Sequence, residues 1–339
     1  IHTVHVDGAG CYGHNGADDA ALDAALLARA VPGRPVSVKW MRGDENAWEP
    51  YGPATVIQMQ ASLNAAGEVV DWNHDVSGYA HSSRPHRGAE TDTSSLVAAW
   101  HLAQPFAPTR PRAMDGPQSG VHRNAVPPYV YPYLASGRPR IVKRFLPDSP
   151  LRVSALRGLG SYANVFAIES FMDELAHAAG VDPLEFRLRH LADERARAVL
   201  QAAAEKAGPR AKGLGRGIAY AQYKNRQGYV AVVVDLTVDR ESGKIHLQRA
   251  FAAVDVGQIV HPEGLSNQLA GALVQSASWT LKEQVTYDAH GITSVDWASY
   301  PISSIQDAPA IETVLLNRPG RPYLGIGEGA QGPPPAAIA

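Results

Sequence analysis

The sequence predicts an α+β fold in which mixed sheets pack against helices. Strand-like runs come in pairs joined by turn residues, helical runs stand between the pairs, and the two kinds alternate without a regular βαβ period. The composition, 45% hydrophobic and 19% charged over 339 residues, is that of an ordinary globular chain long enough for about two domains.

In chain order, Ile1–Val6 (IHTVHV) alternates as a strand and leads into the glycine-rich run Gly8–Gly16. Residues 17–30 are rich in alanine and leucine and predict a helix, stopped by Pro32-Gly33-Arg34-Pro35. Val36–Met41 (VSVKWM) alternates again and predicts a strand. Ala54–Leu63 and Glu68–Gly78 flank Asn64-Ala65-Ala66-Gly67 and predict a hairpin. From Tyr79 to about Pro139 the chain is rich in Pro, Ser, Gly and His, too long for a structureless loop, and is expected to wrap a site or a partner.

Regular structure is expected again from Leu151. Tyr162–Ala179 reads as an amphipathic helix with Phe166, Ile168, Met172 and Leu175 inward. Asp182-Pro183 supplies an N-cap and a first-turn proline for the next helix, and another covers about Glu194–Ala207. Gly213–Gly217 reads as a breaker. Ile218–Tyr223, Tyr229–Asp239 and Lys244–Val254 predict strands, the last two joined by Arg240-Glu241-Ser242-Gly243. Pro262–Leu281 predicts a helix, and the closing PPPAAIA reads as the opening turn of another. Two subdomain portions are expected, 1–150 containing the wrap at 79–139, and 151–339. The first residue is Ile1 rather than Met and both ends lie inside predicted elements, so the chain reads as an internal piece of a longer one and its compartment cannot be read from it.

A net charge of −2 leaves no basic surplus to neutralise phosphates, which argues against a nucleic-acid partner. One cysteine, Cys11, rules out an internal disulfide framework and a cluster of iron and sulfur held by this chain; it reads as a small buried residue. No apolar run is long enough to span a membrane. His74, His81 and His86 have no metal-ligand spacing and read as structural.

Four segments could carry chemistry. The run Gly8-Ala9-Gly10-Cys11-Tyr12-Gly13-His14-Asn15-Gly16 lies between a strand and a helix, where glycines let a bound group approach the backbone and free N–H groups favour an anion. Its spacing is neither a P-loop nor GxGxxG. In Ala155–Ser161, Arg157 sits among glycine turns ahead of a helix, where a guanidinium can meet an oxyanion with two bonds. After Asp255-Val256-Gly257, Gln268, Gly271 and Gln275 share one helix face, which suits amide hydrogen bonds to something laid against it. In Gly325-Ile326-Gly327-Glu328-Gly329, a carboxylate is held close to backbone and could act as a base. Each alone has a plainer reading: a tight connection, a surface arginine, a solvated glutamine stripe, a loop glutamate.

In this order, GCYGHNGADDAALDAALLARAVPGRPV, ALRGLGSYANVFAIESFMDELA, DVGQIVHPEGLSNQLAGALVQSASWTLKE and GIGEGAQGP resemble the large subunits of the xanthine oxidase family of molybdenum hydroxylases. The likeness is strongest to the branch of isoquinoline 1-oxidoreductase and nicotinate dehydrogenase and spans nearly the whole chain. The resemblance implies a molybdenum–molybdopterin cofactor, in the cytosine dinucleotide form, with the metal held by the pterin and not by protein side chains. It implies that Tyr12, Gly13 and His14 lie beside the metal, that Arg157, Gly158, Leu159 and Gly160 contact its ligands and line the substrate site, and that Gln268 and Gly327 touch the cofactor. Glu328 would be the catalytic base in the hydroxylation of an electron-poor ring carbon next to nitrogen, with water as the oxygen source. Electrons would leave through 2Fe-2S clusters on a small partner subunit.

The sequence departs from the family where Leu159 stands for a phenylalanine, where Arg123 does not align with the purine-orienting arginine, and where the GQG cofactor segment is absent. Xanthine is therefore not the expected substrate. Oxidation of an aldehyde by the same cofactor is the alternative, and a non-catalytic scaffold or assembly subunit with this fold is the alternative of another class.

Overall fold

A computed structural model of the chain describes residues 1–6, 19–81, 96–106 and 123–339. In chain order the elements are α1 (Asp19–Ala30), α2 (Arg42–Trp48), β1 (Thr55–Leu63), β2 (Val69–Tyr79), α3 (Val97–Trp100), β3 (Arg140–Leu146), α4 (Gly160–Ala179), α5 (Pro183–Arg189) and α6 (Glu194–Ala207). There follow β4 (Gly215–Gln222), β5 (Tyr229–Val238), β6 (Ile245–Asp255), α7 (Pro262–Leu281), the short pair β7 (Tyr287–Asp288) and β8 (Gly291–Ile292), β9 (Ala310–Leu315) and α8 (Pro333–Ile338).

β1 and β2 form the expected hairpin, antiparallel from Thr55 opposite Gly78. Its turn is built by the Asn64 side chain, whose Oδ1 accepts from the N–H of Ala66 and of Glu68, at 2.9 and 3.0 Å. β3 joins β2 in parallel. This strand lies just beyond the predicted wrap and ahead of the expected return of order at Leu151, because a parallel partner about 70 residues away leaves no local turn signal.

The second sheet is ordered β4-β5-β6-β9, with β6 and β9 parallel and the other pairs antiparallel. Its centre explains the buried run of β5: Tyr229 to Leu236, apolar but for Asp235, which is paired with Arg216 and Arg249, are all buried because both faces are covered. One face presents Tyr220, Ala231, Val233 and Phe251 to Ile168 and Met172 of α4 and to Val199 and Leu200 of α6. The other presents Ala219, Val230, Val232 and Val254 to Leu269 and Leu273 of α7 and to Ala336 and Ile338 of α8. The β5–β6 turn is the predicted one, closed by Asp239 Oδ1 accepting from the N–H of Glu241 and Ser242.

Caps set the helix borders. Asp182 accepts from the N–H of Leu184 and Glu185 ahead of Pro183, and Asp193 accepts from Arg195 and Ala196 at the start of α6. Two buried charge clusters tie elements together. Glu169 of α4 takes the Tyr129 hydroxyl, Arg187 Nε and the Tyr220 N–H. Asp255 at the end of β6 takes Arg195, Arg318 Nε at 3.0 Å and the Gly257 N–H.

Four expectations need correction. Ile1–Val6 and Val36–Met41 are not strands; no neighbouring chain pairs with them among the described residues, and alternation without a partner does not make a sheet. Phe166 does not point inward but is 39% exposed. It precedes Ile168 by two positions, about 200° around the helix, on the opposite face. Gly213–Gly217 does not interrupt the order, since β4 begins at Gly215. Gly217 is a packing glycine: a Cβ there would collide with the Ala337 carbonyl, where α8 crosses the strand. Among the described residues no helix is long and apolar enough to cross a membrane.

Candidate active site

Three of the four singled-out segments meet. The turn ahead of α4 is sharply bent, with Gly158 at φ +93° and Leu159 at φ +52°, the second in a region that costs a branched side chain energy. The bend buries Arg157, whose Nη1 donates to Gln275 Oε1 at 3.1 Å and whose Nη2 points at the Gln268 carbonyl at 3.4 Å. Gln268 in turn donates from Nε2 to the Gly327 carbonyl at 2.7 Å. The Arg157 turn, the glutamine face of α7 and the Glu328 loop therefore form one hydrogen-bonded unit.

Glu328 is half-buried at the start of a 3-10 turn, Gly329–Gln331, that runs into α8. Its Oε2 accepts a hydrogen bond from the Tyr223 hydroxyl. Burial, then the hydrogen bond and the charge of Glu328, push the Tyr223 phenol well above the usual tyrosine range, against the pull of a hydrogen bond from Arg123. At neutral pH the phenol is therefore a proton donor. Lys224 is the next cation: burial and then Arg123 lower its pKa, while Glu328 raises it. The Gly228 N–H donates to the Gly325 carbonyl at 3.1 Å, fastening the glutamate loop to the turn that carries Tyr223.

Asn124 organises the far side. Its Nδ2 donates to the Gln222 carbonyl and to Asn225 Oδ1, at 2.8 and 2.6 Å. Its Oδ1 accepts from the Ser161 hydroxyl and the Lys224 N–H, at 2.9 and 2.8 Å. Asn124, Lys224 and Asn225 are, with Leu159, the described non-glycine residues with positive φ. Strained backbone thus collects around one asparagine, between the Arg157 turn and Tyr223, as it does where a site must be held in shape.

Gln331 lies at the meeting point. Its side chain is fully buried and, among the described residues, neither amide atom has a hydrogen-bond partner. Its Cγ lies where it would touch a Cβ added at Gly158, at 3.4 Å. A buried amide with free donor and acceptor, beside a backbone turn with no side chain, suits an organic group that both gives and takes hydrogen bonds.

Of the residues singled out in the sequence, Arg157, Gly158, Leu159, Gly160, Gln268, Gly327 and Glu328 lie in this unit. Tyr12, Gly13, His14, Cys11 and His86 fall outside the described residues. His74 and His81 are buried; His74 Nε2 pairs with Asn164 Oδ1 at 3.0 Å, and burial lowers its pKa to about 4, as a structural histidine requires. Among the described residues no three His, Cys, Asp or Glu side chains gather as a metal cage. Sequence reasoning missed Tyr223, which reads as a strand end, and Asn124. Gln275, singled out with Gln268, bonds Arg157, and Gln331 follows the Glu328 glycines in the sequence.

Comparison with known proteins gives consistent findings. Residues 158–309 match the family model of the molybdopterin cofactor-binding domain. The chain is 37% identical to one of the subunits of nicotinate dehydrogenase from Pseudomonas putida, over all of this chain and 28% of that one. It is 26% identical to the beta chain of isoquinoline 1-oxidoreductase from Brevundimonas diminuta, over 91% of this chain and 36% of that one. The crystal structure of quinoline 2-oxidoreductase from Pseudomonas putida 86 has the same fold, with a TM-score of 0.69 at 13% identity, covering 94% of this chain and 62% of that one. The chain thus spans about a third of the length of the curated relatives it matches.

Proposed function

We propose that this chain, whose residues 158–309 match the molybdopterin cofactor-binding domain, is part of a molybdenum hydroxylase of the xanthine oxidase family, and that it carries the base and much of the cofactor wall of an enzyme that hydroxylates a ring carbon of an N-heteroaromatic compound, with water as the oxygen source. The observation that carries the proposal is the single hydrogen-bonded unit of Arg157, Gln268, Gly327 and Glu328, drawn from three distant segments. Nicotinate and isoquinoline, named in the two curated relatives, are the first substrates to try.

The residues fit a molybdopterin. The buried Gln331 amide packs beside Gly158, and the side chains nearby are hydrogen-bonding amides and a guanidinium, donors and acceptors suited to an organic cofactor and not metal ligands. Arg157, Gly158, Leu159, Gly160 and Gln331 would hold the group, with Tyr12, Gly13 and His14 closing it from the first segment. Gln268 would serve it through Gly327, since its Nε2 is committed to that carbonyl. When bound, the cofactor, in its cytosine dinucleotide form, supplies Lewis acidity and a two-electron acceptor.

The protein's part is placement and proton transfer. The half-buried Glu328 carboxylate, fixed at Oε2 by Tyr223, keeps Oε1 to accept the proton released as the ring carbon is attacked. Arg157, buried and held by two glutamines, sets the cofactor-side wall; Leu159 offers an apolar edge to a flat ring. Electrons pass to 2Fe-2S clusters on a separate small subunit. The two portions 1–150 and 151–339 are read as parts of two cofactor-binding subdomains.

The test is turnover of nicotinate, isoquinoline and benzaldehyde with an artificial acceptor, in wild-type enzyme and in Glu328→Gln with equal molybdenum content. Loss of about 10²–10⁴-fold in turnover of the heteroaromatics is expected. Undiminished turnover in Glu328→Gln would remove the base, and preference for benzaldehyde would move the substrate class to aldehydes.

A further inference from the structure

Resting on the reading of Glu328 as the base, we propose that Tyr223 is its positioning residue: a neutral phenol that grips Oε2, fixes the carboxylate's direction, and is itself held in place by Arg123 and the Asn124 hub.

Tyr223 is 2% exposed, so its ring cannot swing away from the carboxylate without disturbing the core. Its backbone is tied on both sides. The Tyr223 N–H donates to the Gly228 carbonyl at 3.1 Å, and the Gln227 N–H donates to the Tyr223 carbonyl at 2.9 Å. The following residues, Lys224 and Asn225, both adopt positive φ, and Asn124 bonds to each of them. Asn225 also donates from Nδ2 to the Val126 carbonyl at 2.8 Å. Two consecutive residues in the left-handed region, both held by Asn124, fix the turn that carries the tyrosine.

A hydrogen bond given to a carboxylate favours its charged form, the form a base needs. The phenol does so without adding a full positive charge that would compete for the proton. Charged groups facing this pair are Arg123, from the segment before Asn124, and Lys224, from the same turn as Tyr223, with Arg226 adjoining Lys224. All three remain in a Tyr223→Phe variant, so a change in that variant reports the hydroxyl alone.

The experiment compares Tyr223→Phe with wild-type enzyme at equal molybdenum content. Loss of the donor should lower kcat by about tenfold while KM changes less than threefold, since the carboxylate's direction and not substrate binding is lost. A second readout needs no turnover: tyrosinate absorbance near 295 nm, followed in wild type and in Glu328→Gln. Removing the carboxylate should lower the pH at which the Tyr223 phenol ionises, and Tyr223→Phe should abolish that difference. A kcat within twofold of wild type, or identical tyrosinate titrations with and without Glu328, overturns the proposal. If Glu328→Gln is inactive while Tyr223→Phe shows either of those results, the positioning role alone is lost and the base stands; full turnover in Glu328→Gln overturns both.

Discussion

Gln331 carries a buried amide that has no hydrogen-bond partner among the described residues. A buried unsatisfied polar group costs about 1–3 kcal/mol, so Gln331→Leu should stabilise the cofactor-free chain by about that amount in urea denaturation, while lowering the molybdenum content of the assembled enzyme. A variant that is destabilised, or that retains full metal content, would show that the amide serves the fold and not the cofactor. At this scale the sequence is informative where chemistry is local. Glu328 among glycines and Arg157 in a glycine turn stand out because small neighbours and a charged residue are adjacent in the chain. Tyr223 does not stand out, because its partner lies 105 positions away and its own surroundings are those of an ordinary strand end. Phe166 misleads for a related reason: an aromatic residue in an amphipathic helix invites an inward reading, and its angular position decides otherwise.

Among elements, helices were the most legible. α6 and α7 fall within the expected borders because Asp193 and Pro262 mark their first turns and the apolar spacing between is regular. Antiparallel strands next to each other in sequence were legible through their turns. β3 and β9 were not, since each pairs in parallel with a strand far away, and the alternation at Val36–Met41 has no neighbour among the described residues to make it a strand. The crossing of α8 over β4 was also hidden, although Gly217 is its mark. Gly217→Ala should push the Ala337 carbonyl off the strand and cost about 1–3 kcal/mol by denaturant unfolding. Because the Glu328 turn runs directly into α8, the same variant should lose turnover beyond its loss of stability; unchanged stability would mean that the helix gives way freely.

For the molecule as a whole, His74 joins the first sheet to the start of α4. It lies on β2, pairs with Asn164, and Asn164 also donates to the carbonyls of Gly160 and Arg123. With its pKa lowered from 6.5 to about 4 by burial, the neutral ring favours the folded state. Between those values the unfolded chain binds the extra proton, so this contribution is complete above pH 6.5 and is lost as pH falls towards 4, an effect of about 3 kcal/mol. Urea unfolding at about pH 7 and about pH 4.5 should show that loss in wild type and a flatter dependence in His74→Gln; equal slopes would discount the histidine. The general architecture, α+β with mixed sheets, was readable from the order of elements. Which loops converge was not, because convergence is a property of the sheet order and of parallel pairings without local signature. Finally, the stretch Pro333–Ile338 is enclosed on every side by the second sheet, α4 and α7. The acid just ahead of it therefore rides on a stiff stem rooted in the interior, whereas Leu156 and Leu159 at the opposite rim remain partly open to solvent. On the proposed reading the proton acceptor is anchored by an enclosed stretch of the chain and the ring-facing leucines by a looser one, so substitutions at Leu156 or Leu159 should disturb folding less than substitutions within Pro333–Ile338.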